Sequence, residues 1–231
     1  MSQPTDPRAI FVIIPAYNEN EVLRAVIKDL LPYHYQLVVI DDGSAVPLNR
    51  LLDKLPVYLL RHPVNLGQGA ALQTGIEFAL GKKARFIVSF DADGQHQAAD
   101  IQKLLSELEN DKADIVSGSR FLGKNDGQVP AGRKLLLQTA RYLNYLFTGV
   151  LLTDAHNGLR AMTNKSAVAI RIRQNGMSHA TEILTEIRKN KLRHKEVPVT
   201  IRYTDYSKKK GQTAFSSFRI FFDLLLNKIF K

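Results

Sequence analysis

Asp91 and Asp93 stand one residue apart, directly after the apolar run Phe86–Phe90. That run is short and rich in β-branched and aromatic residues, so it reads as a buried strand of a parallel sheet. Two carboxylates at the end of such a strand repel each other, and packing gives no reason for them. Oxygen ligands around a hard divalent cation offset that repulsion. The carboxyl ends of parallel strands are also where open α/β sheets hold ligands. The pair points to a metal–diphosphate site; the plainer alternative is a capping turn into a helix near Asp100.

Other polar groups sit in similar places. Asp41 and Asp42 follow the apolar run Leu37–Ile40. They suit hydrogen bonds from a base or a ribose hydroxyl, or else a turn through Gly43. Asn65, Gly67 and Gly69 form a tight turn before the helical stretch Ala70–Leu80, and the small residues there admit close approach of backbone or ligand. The Lys and Ser/Thr of a P-loop are missing, as is G-x-G-x-x-G after the first strand, which argues against a nicotinamide or flavin dehydrogenase. Arg120 follows another short strand and is able to meet a phosphate with both prongs of its guanidinium. Asp154, His156 and Arg160 share one polar interruption between apolar segments. A partly buried Arg160 needs an anion. Asp154 is one answer; a phosphate framed by both residues is the other. A lone His156 is more often structural than a ligand. Glu182, in the stretch 179–189, is a further carboxylate with the chemistry of a general base.

These residues need a scaffold. Strands at Ile10–Ile14 (stopped by Pro15), 37–40, 57–60, 86–90 and 115–116 alternate with helices over 22–30, 70–80 and 98–110. That alternation predicts a doubly wound α/β sheet. After Phe121 the pattern changes to a polar loop at 123–132, a helix-like stretch at 133–152, and helices at about 164–173 and 179–189. Residues 196–203 read as an edge strand, because Pro198 lies within them. A basic loop, 207–213, then precedes a last helix, 214–230, with Phe215, Phe218, Phe221, Phe222, Leu225 and Ile229 on one side. Basic loop plus apolar face is the pattern of membrane-surface attachment; packing on the domain core is the alternative.

The chain has 231 residues, 45% of them hydrophobic, with no cysteine and a net charge of +10. Disulfides, thiol chemistry and cysteine-based zinc sites are excluded. Residues 191–231 hold ten Lys or Arg against three Asp or Glu, which is +7 of the charge. This balance suits an anionic partner. A basic membrane- or RNA-binding module would explain the charge and leave the strand-end carboxylates unexplained. Tryptophan is absent and no RNA-binding motif occurs, so nucleic acid is not expected. No apolar run reaches the roughly 18–20 residues needed to span a bilayer, and MSQPTDPR lacks the apolar core of a signal peptide. The expected location is therefore the cytoplasm.

Taken together, IIPAYNE at 13–19, VIDDGS at 39–44, NLGQGAALQTGI at 65–76 and FDADGQH at 90–96 resemble the family 2 glycosyltransferases. With SGSRF at 117–121, HNGLR at 156–160 and a basic loop ending in Gly211, the chain is similar to the polyprenyl-phosphate sugar transferases in particular. The resemblance implies a GT-A fold, a Rossmann-like, mostly parallel sheet flanked by helices. The catalytic domain would span 1–213, with a nucleotide-sugar half at about 10–122 and an acceptor half at about 123–213, and an amphipathic membrane-associating helix at 214–231. It implies an inverting transfer from a nucleotide-sugar, UDP-linked by default, to a polyprenyl phosphate such as undecaprenyl phosphate, at the inner face of the cell membrane. The rival within the family is transfer to a saccharide hydroxyl. Pro15, Tyr17, Glu19, Asp42 and Gly69 would lie about the nucleotide. Asp91 and Asp93 would match the DXD motif and hold Mg²⁺ or Mn²⁺. Arg120, Arg133 and Arg160 match positions for acceptor phosphate or diphosphate, and Lys210 would come from the loop that closes on phosphate. Two departures stand out. Gly211 is followed by Gln212 and Thr213 where the family often has Ser and Lys. Many members also carry transmembrane helices after the catalytic domain, so a small membrane-protein partner is the expected substitute here, with a homo-oligomer a further option.

Overall fold

The computed structural model describes residues 5–123, 145–146, 148–154 and 157–202. Arg133, His156, Lys208, Lys209, Lys210 and the stretch 214–231 lie outside the described residues. The elements are β1 (Ile10–Ala16), α1 (Leu23–Leu30), β2 (Gln36–Asp41), β3 (Val57–Arg61), α2 (Gln68–Gly81), β4 (Phe86–Ser89), α3 (Ile101–Glu109) and β5 (Ile115–Ser119). They continue with β6 (Arg160–Thr163), α4 (Asn164–Ala169), α5 (His179–Lys189) and β7 (His194–Pro198).

The strands form one sheet in the order β3-β2-β1-β4-β6-β5-β7. Every pairing is parallel except those of β6, which runs antiparallel to both β4 and β5. Side chains alternate across the sheet, as strand geometry requires. Val12, Ile14, Val39, Val88, Val116 and Ala161 face α1 and α3 through Leu23, Ile27, Leu104 and Leu105. Ile13, Ile40, Ile87, Ile115 and Met162 face α2 and α5 through Ile76, Ala79, Ile183 and Leu184. Both faces are therefore covered, which is why these strands read as continuous apolar runs. From β1 the chain winds outward through β2 to β3, then crosses to the other side of β1 as β4. Such a reversal opens a crevice at the carboxyl ends of β1 and β4.

Several expectations need correction. β1 continues through Pro15 to Ala16. The proline is tolerated because the ladder to β4 stops at Ile13, leaving Pro15 beside β2 alone. The strand β6 lies where only a polar interruption was expected. The helix after it stops at Ala169, and the last strand starts at His194 and ends at Pro198. Residues 149–152 are not helical.

Candidate active site

The carboxylates follow β4, which is fastened to β1 as far as Phe90, whose amide donates to Ile13 O at 2.9 Å. The strand ends at Ser89, and the chain then turns through Gly94 in the left-handed region. Asp93 Oδ1 accepts from the Gln95 amide at 2.9 Å, so one of its oxygens shapes the turn. Asp91 Oδ1 accepts from Gln68 Nε2 and Asp91 Oδ2 from His96 Nε2, both at 3.1 Å. Behind Asp91 lies Gly158, so close that a β-carbon there would overlap the carboxylate. Ser89 Oγ fixes that backbone by donating to Gly158 O at 2.7 Å.

The two acids titrate apart. Burial pushes Asp91 up, but the His96 hydrogen bond and the charges of His96 and Arg160 outweigh it and hold the carboxyl below its usual value. Burial and the neighbouring Asp91 charge raise Asp93, with Glu19 adding to the effect. Excess negative charge therefore gathers where β4 meets the loop after β1. Among the described residues no three His, Asp or Glu side chains group as a complete metal cage. Two hard carboxylate donors without a cage suit a cation that takes its remaining ligands from water and substrate phosphates, as Mg²⁺ does. The residues present fit that group.

The loop after β1 leaves the Tyr17 ring 46% exposed and buries Glu19. Asp41 and Asp42 are both buried and both organise turns. Asp41 accepts from the Ser44 and Leu48 amides and pairs with Arg61 at 2.8 Å. Asp42 Oδ1 accepts from His62 Nδ1 at 2.7 Å and the Leu66 amide at 3.0 Å, and its Oδ2 from the Gly67 amide at 2.8 Å. Asp42 thus ties the end of β2 to the turn that starts α2. Gly69 gives its amide to Asn175 O at 2.8 Å, and a β-carbon on it would strike His179 and the 174–175 backbone. The close approach expected at Gly69 is made by this chain's own 174–179 segment.

Arg120 and Arg160 come to the same end of the sheet by different routes. Arg120 follows β5; its Nε donates to Asp154 Oδ2 at 2.6 Å and its amide to the same oxygen at 3.1 Å. Arg160 opens β6 and pairs in register with Ser89 on one side and Ser117 on the other. Only 3% of Arg160 is exposed, and among the described residues its Nε has no hydrogen-bond partner; Asp154 Oδ1 is likewise buried and unpartnered among them. Burial outweighs the charges of Asp91 and Asp154 and lowers the Arg160 pKa; its strand lies between β4, which leads to the carboxylate turn, and β5, which leads to Arg120. Glu182 is occupied: its Oε2 accepts from the Arg173 and Gln174 amides at 2.9 and 2.8 Å.

Three site groups escape a reading by motif. Gln68 and His96 hold Asp91, and only the FDADGQH run hinted at the latter. His179, at the start of α5, donates from Nδ1 to Gly176 O at 2.8 Å. Burial, with the Arg160 charge, lowers it to about 4, so it is neutral at pH 7 and its Nε2 is an acceptor.

The model of the family described as glycosyl transferase family 2 matches residues 11–170. An uncharacterized protein of Methanocaldococcus jannaschii is 35% identical over 96% of this chain and 93% of its own. The UDP-N-acetylglucosamine–dolichyl-phosphate N-acetylglucosaminyltransferase of Methanococcus voltae is 32% identical over 97% of this chain and 98% of its own. Among solved structures, glucosyl-3-phosphoglycerate synthase from Mycobacterium tuberculosis, in complex with Mn²⁺, UDP-glucose and phosphoglyceric acid, superposes with a TM-score of 0.68. It is 18% identical and is covered over 79% of its length by 94% of this chain. That likeness establishes a GT-A-like α/β fold.

Proposed function

Since the chain belongs to glycosyl transferase family 2, we propose that it moves a sugar from a UDP-linked donor to a polyprenyl phosphate, with inversion at the anomeric carbon. The observation that carries the acceptor class is Arg160, a buried guanidinium whose Nε lacks a partner among the described residues, on the strand between β4 with its carboxylate turn and β5 with the Arg120–Asp154 pair. A buried cation so placed favours an anionic reactant. A lipid monophosphate is already a nucleophile and needs no base. The one candidate base, Glu182, is engaged with the backbone of 173–174, which disfavours a saccharide hydroxyl. The name of the Methanococcus voltae relative, which specifies a dolichyl-phosphate acceptor and a UDP-sugar, supports the same reading.

In this reading a phosphate oxygen of the acceptor attacks C1 of the sugar. The bond from C1 to the diphosphate breaks, and UDP leaves with the electron pair. Asp91 and Asp93 would hold a divalent cation, which supplies counter-charge to the diphosphate. The UDP-glucose complex of the mycobacterial synthase, which contains Mn²⁺, supports the choice of metal. Tyr17 offers an exposed ring to a base. Arg160 and Arg120 orient the acceptor phosphate; Arg133 and Lys210 are assigned to the same anions from their sequence positions. No helix among the described residues is long and apolar enough to cross a membrane. The enzyme would meet its lipid at the inner membrane face through the basic, apolar stretch 208–230. The test offers UDP-N-acetylglucosamine, UDP-glucose and GDP-mannose with undecaprenyl phosphate, dolichyl phosphate or the free alcohols. Labelled lipid should form only with a phosphorylated acceptor. Equal turnover of a free alcohol or saccharide would overturn the acceptor assignment.

A further inference from the structure

We propose that Glu196 is the positioning residue of the acceptor side, holding Arg120 in place through the turn at 153–154. The inference rests on the acceptor reading above, which assigns Arg120 to phosphate.

Glu196 lies on the outermost strand, in register with Ser117, which is in register with Arg160, which in turn faces Ser89. Four polar residues thus cross one face of the sheet in a row, with Arg160 near its centre. Glu196 ends that row and makes no ion pair with any described residue. Its oxygens instead accept from the Thr153 amide at 3.0 and 2.8 Å, from Thr153 Oγ1 at 2.9 Å and from the Asp154 amide at 3.1 Å. Thr153 Oγ1 also meets Ser119 Oγ at 2.6 Å, one residue before Arg120. The turn is therefore braced from both β7 and β5. What it presents is Asp154, whose Oδ2 takes Arg120 Nε, the Arg120 amide and, at 3.3 Å, Asn157 Nδ2.

The carboxylate at 196 has a specific task. Every group it meets is a donor, so it must offer acceptors only, and charge makes each bond stronger and shorter than a neutral one. A glutamine there would set an amide N–H₂ against the Thr153 or Asp154 amide, pushing the turn away without a change of volume. Asp154 would shift with the turn, and Arg120 with Asp154. The donor-side Asp91 is reached only through the longer contact of Asn157 Nδ2 with Asp154 Oδ2 at 3.3 Å, one residue before Gly158, so the donor side should feel the change less.

Steady-state transfer from UDP-sugar to undecaprenyl phosphate, with wild type and Glu196→Gln, tests this. The acceptor KM should rise about tenfold or more, by analogy with the cost of ångström-scale misplacement, while the donor KM and the melting temperature stay near wild type. In an Asp154→Asn background the same substitution should add little, because both act through one contact. If Glu196→Gln does not fold, Thr153→Val removes the hydroxyl part of the brace and should shift the acceptor KM alone, to a smaller degree. Equal changes in both KM values, an unchanged acceptor KM, or fully additive losses overturn the proposal. Wild type that transfers to no lipid phosphate instead overturns the acceptor reading. The brace is then decided by the Arg120 Nε–Hε resonance, which should move toward that of free arginine in Glu196→Gln; an unmoved resonance refutes it.

Discussion

Gly158→Ala isolates the carboxylate turn from every other variable. The φ of Gly158 lies outside the left-handed region, so alanine brings no backbone strain. Its β-carbon would stand 2.6 Å from Asp91 Cγ and 2.7 Å from Oδ1, and closer still to Oδ2. Nonbonded carbons settle at about 3.5 Å or more, so something must retreat by roughly 1 Å. The glycine's own segment is held by Ser89 Oγ on Gly158 O at 2.7 Å and by the Gly118 amide on Leu159 O at 2.9 Å. Asp91 has only side-chain partners, Gln68 and His96, and is the part that yields. Displacing by that distance a carboxylate proposed to hold the metal should lower kcat/KM about 100-fold, while overpacking costs only about 1–3 kcal/mol of stability. Gly81→Ala, at a position with nothing within 4 Å of the added carbon, is the control. The assay is transfer rate against Mn²⁺ concentration, with the melting temperature measured on the same samples. A Gly158→Ala enzyme within about twofold of wild type in kcat/KM and metal dependence would show that Asp91 has no precise placement to lose.

Further outcomes are expected. Asp93→Ala should nearly abolish transfer in a folded protein, since loss of diphosphate counter-charge costs several kcal/mol on the order of a lost electrostatic contact; chelation by EDTA should do the same, and activity surviving with metal shown absent would refute the assignment. Arg160→Lys keeps the charge and loses the planar fork, so transfer should fall more than donor binding, as read by kcat against UDP-sugar affinity. His179 and His194 are each lowered to about 4, chiefly by burial. The unfolded chain binds those protons first, so stability present above about pH 6.5 should decline as pH falls toward 4. Urea midpoints at pH 7 and 5 measure this, and His194→Gln should flatten the dependence. Deleting residues 214–231 should weaken sedimentation with anionic liposomes; unchanged binding together with lost stability would assign that stretch to the core.

The alternation of strand and helix to residue 120 was legible because each buried strand is an apolar run closed by polar residues. The carboxylate turn was legible for a related reason: two acids directly after an apolar run stand out in the sequence, although Asp93 also shapes its own turn. β6 was not. Its four residues, Arg160–Thr163, begin with an arginine and end at a helix cap, so neither period nor composition marks a strand. Only its neighbours make it one, through pairings to β4 and β5. His96, His179 and Glu196 were passed over because a single polar residue in an otherwise ordinary element carries no spacing signal. Their significance comes from partners far away in sequence, such as Thr153 for Glu196.

The reversed direction of β6 has an architectural consequence. β5 leaves the sheet at Ser119 and β6 enters it at Arg160, two positions that lie beside each other because Ser117 and Arg160 are in register. The excursion over residues 120–159 therefore departs and returns at the same edge of the scaffold, like a module plugged into two adjacent sockets. A parallel β6 would have required the chain to travel the length of the sheet before re-entering. A change in the intervening segment therefore need not change where β5 ends or where β6 begins. Grafting 120–159 from a relative with a different acceptor is therefore a direct way to ask whether this segment carries the proposed acceptor preference.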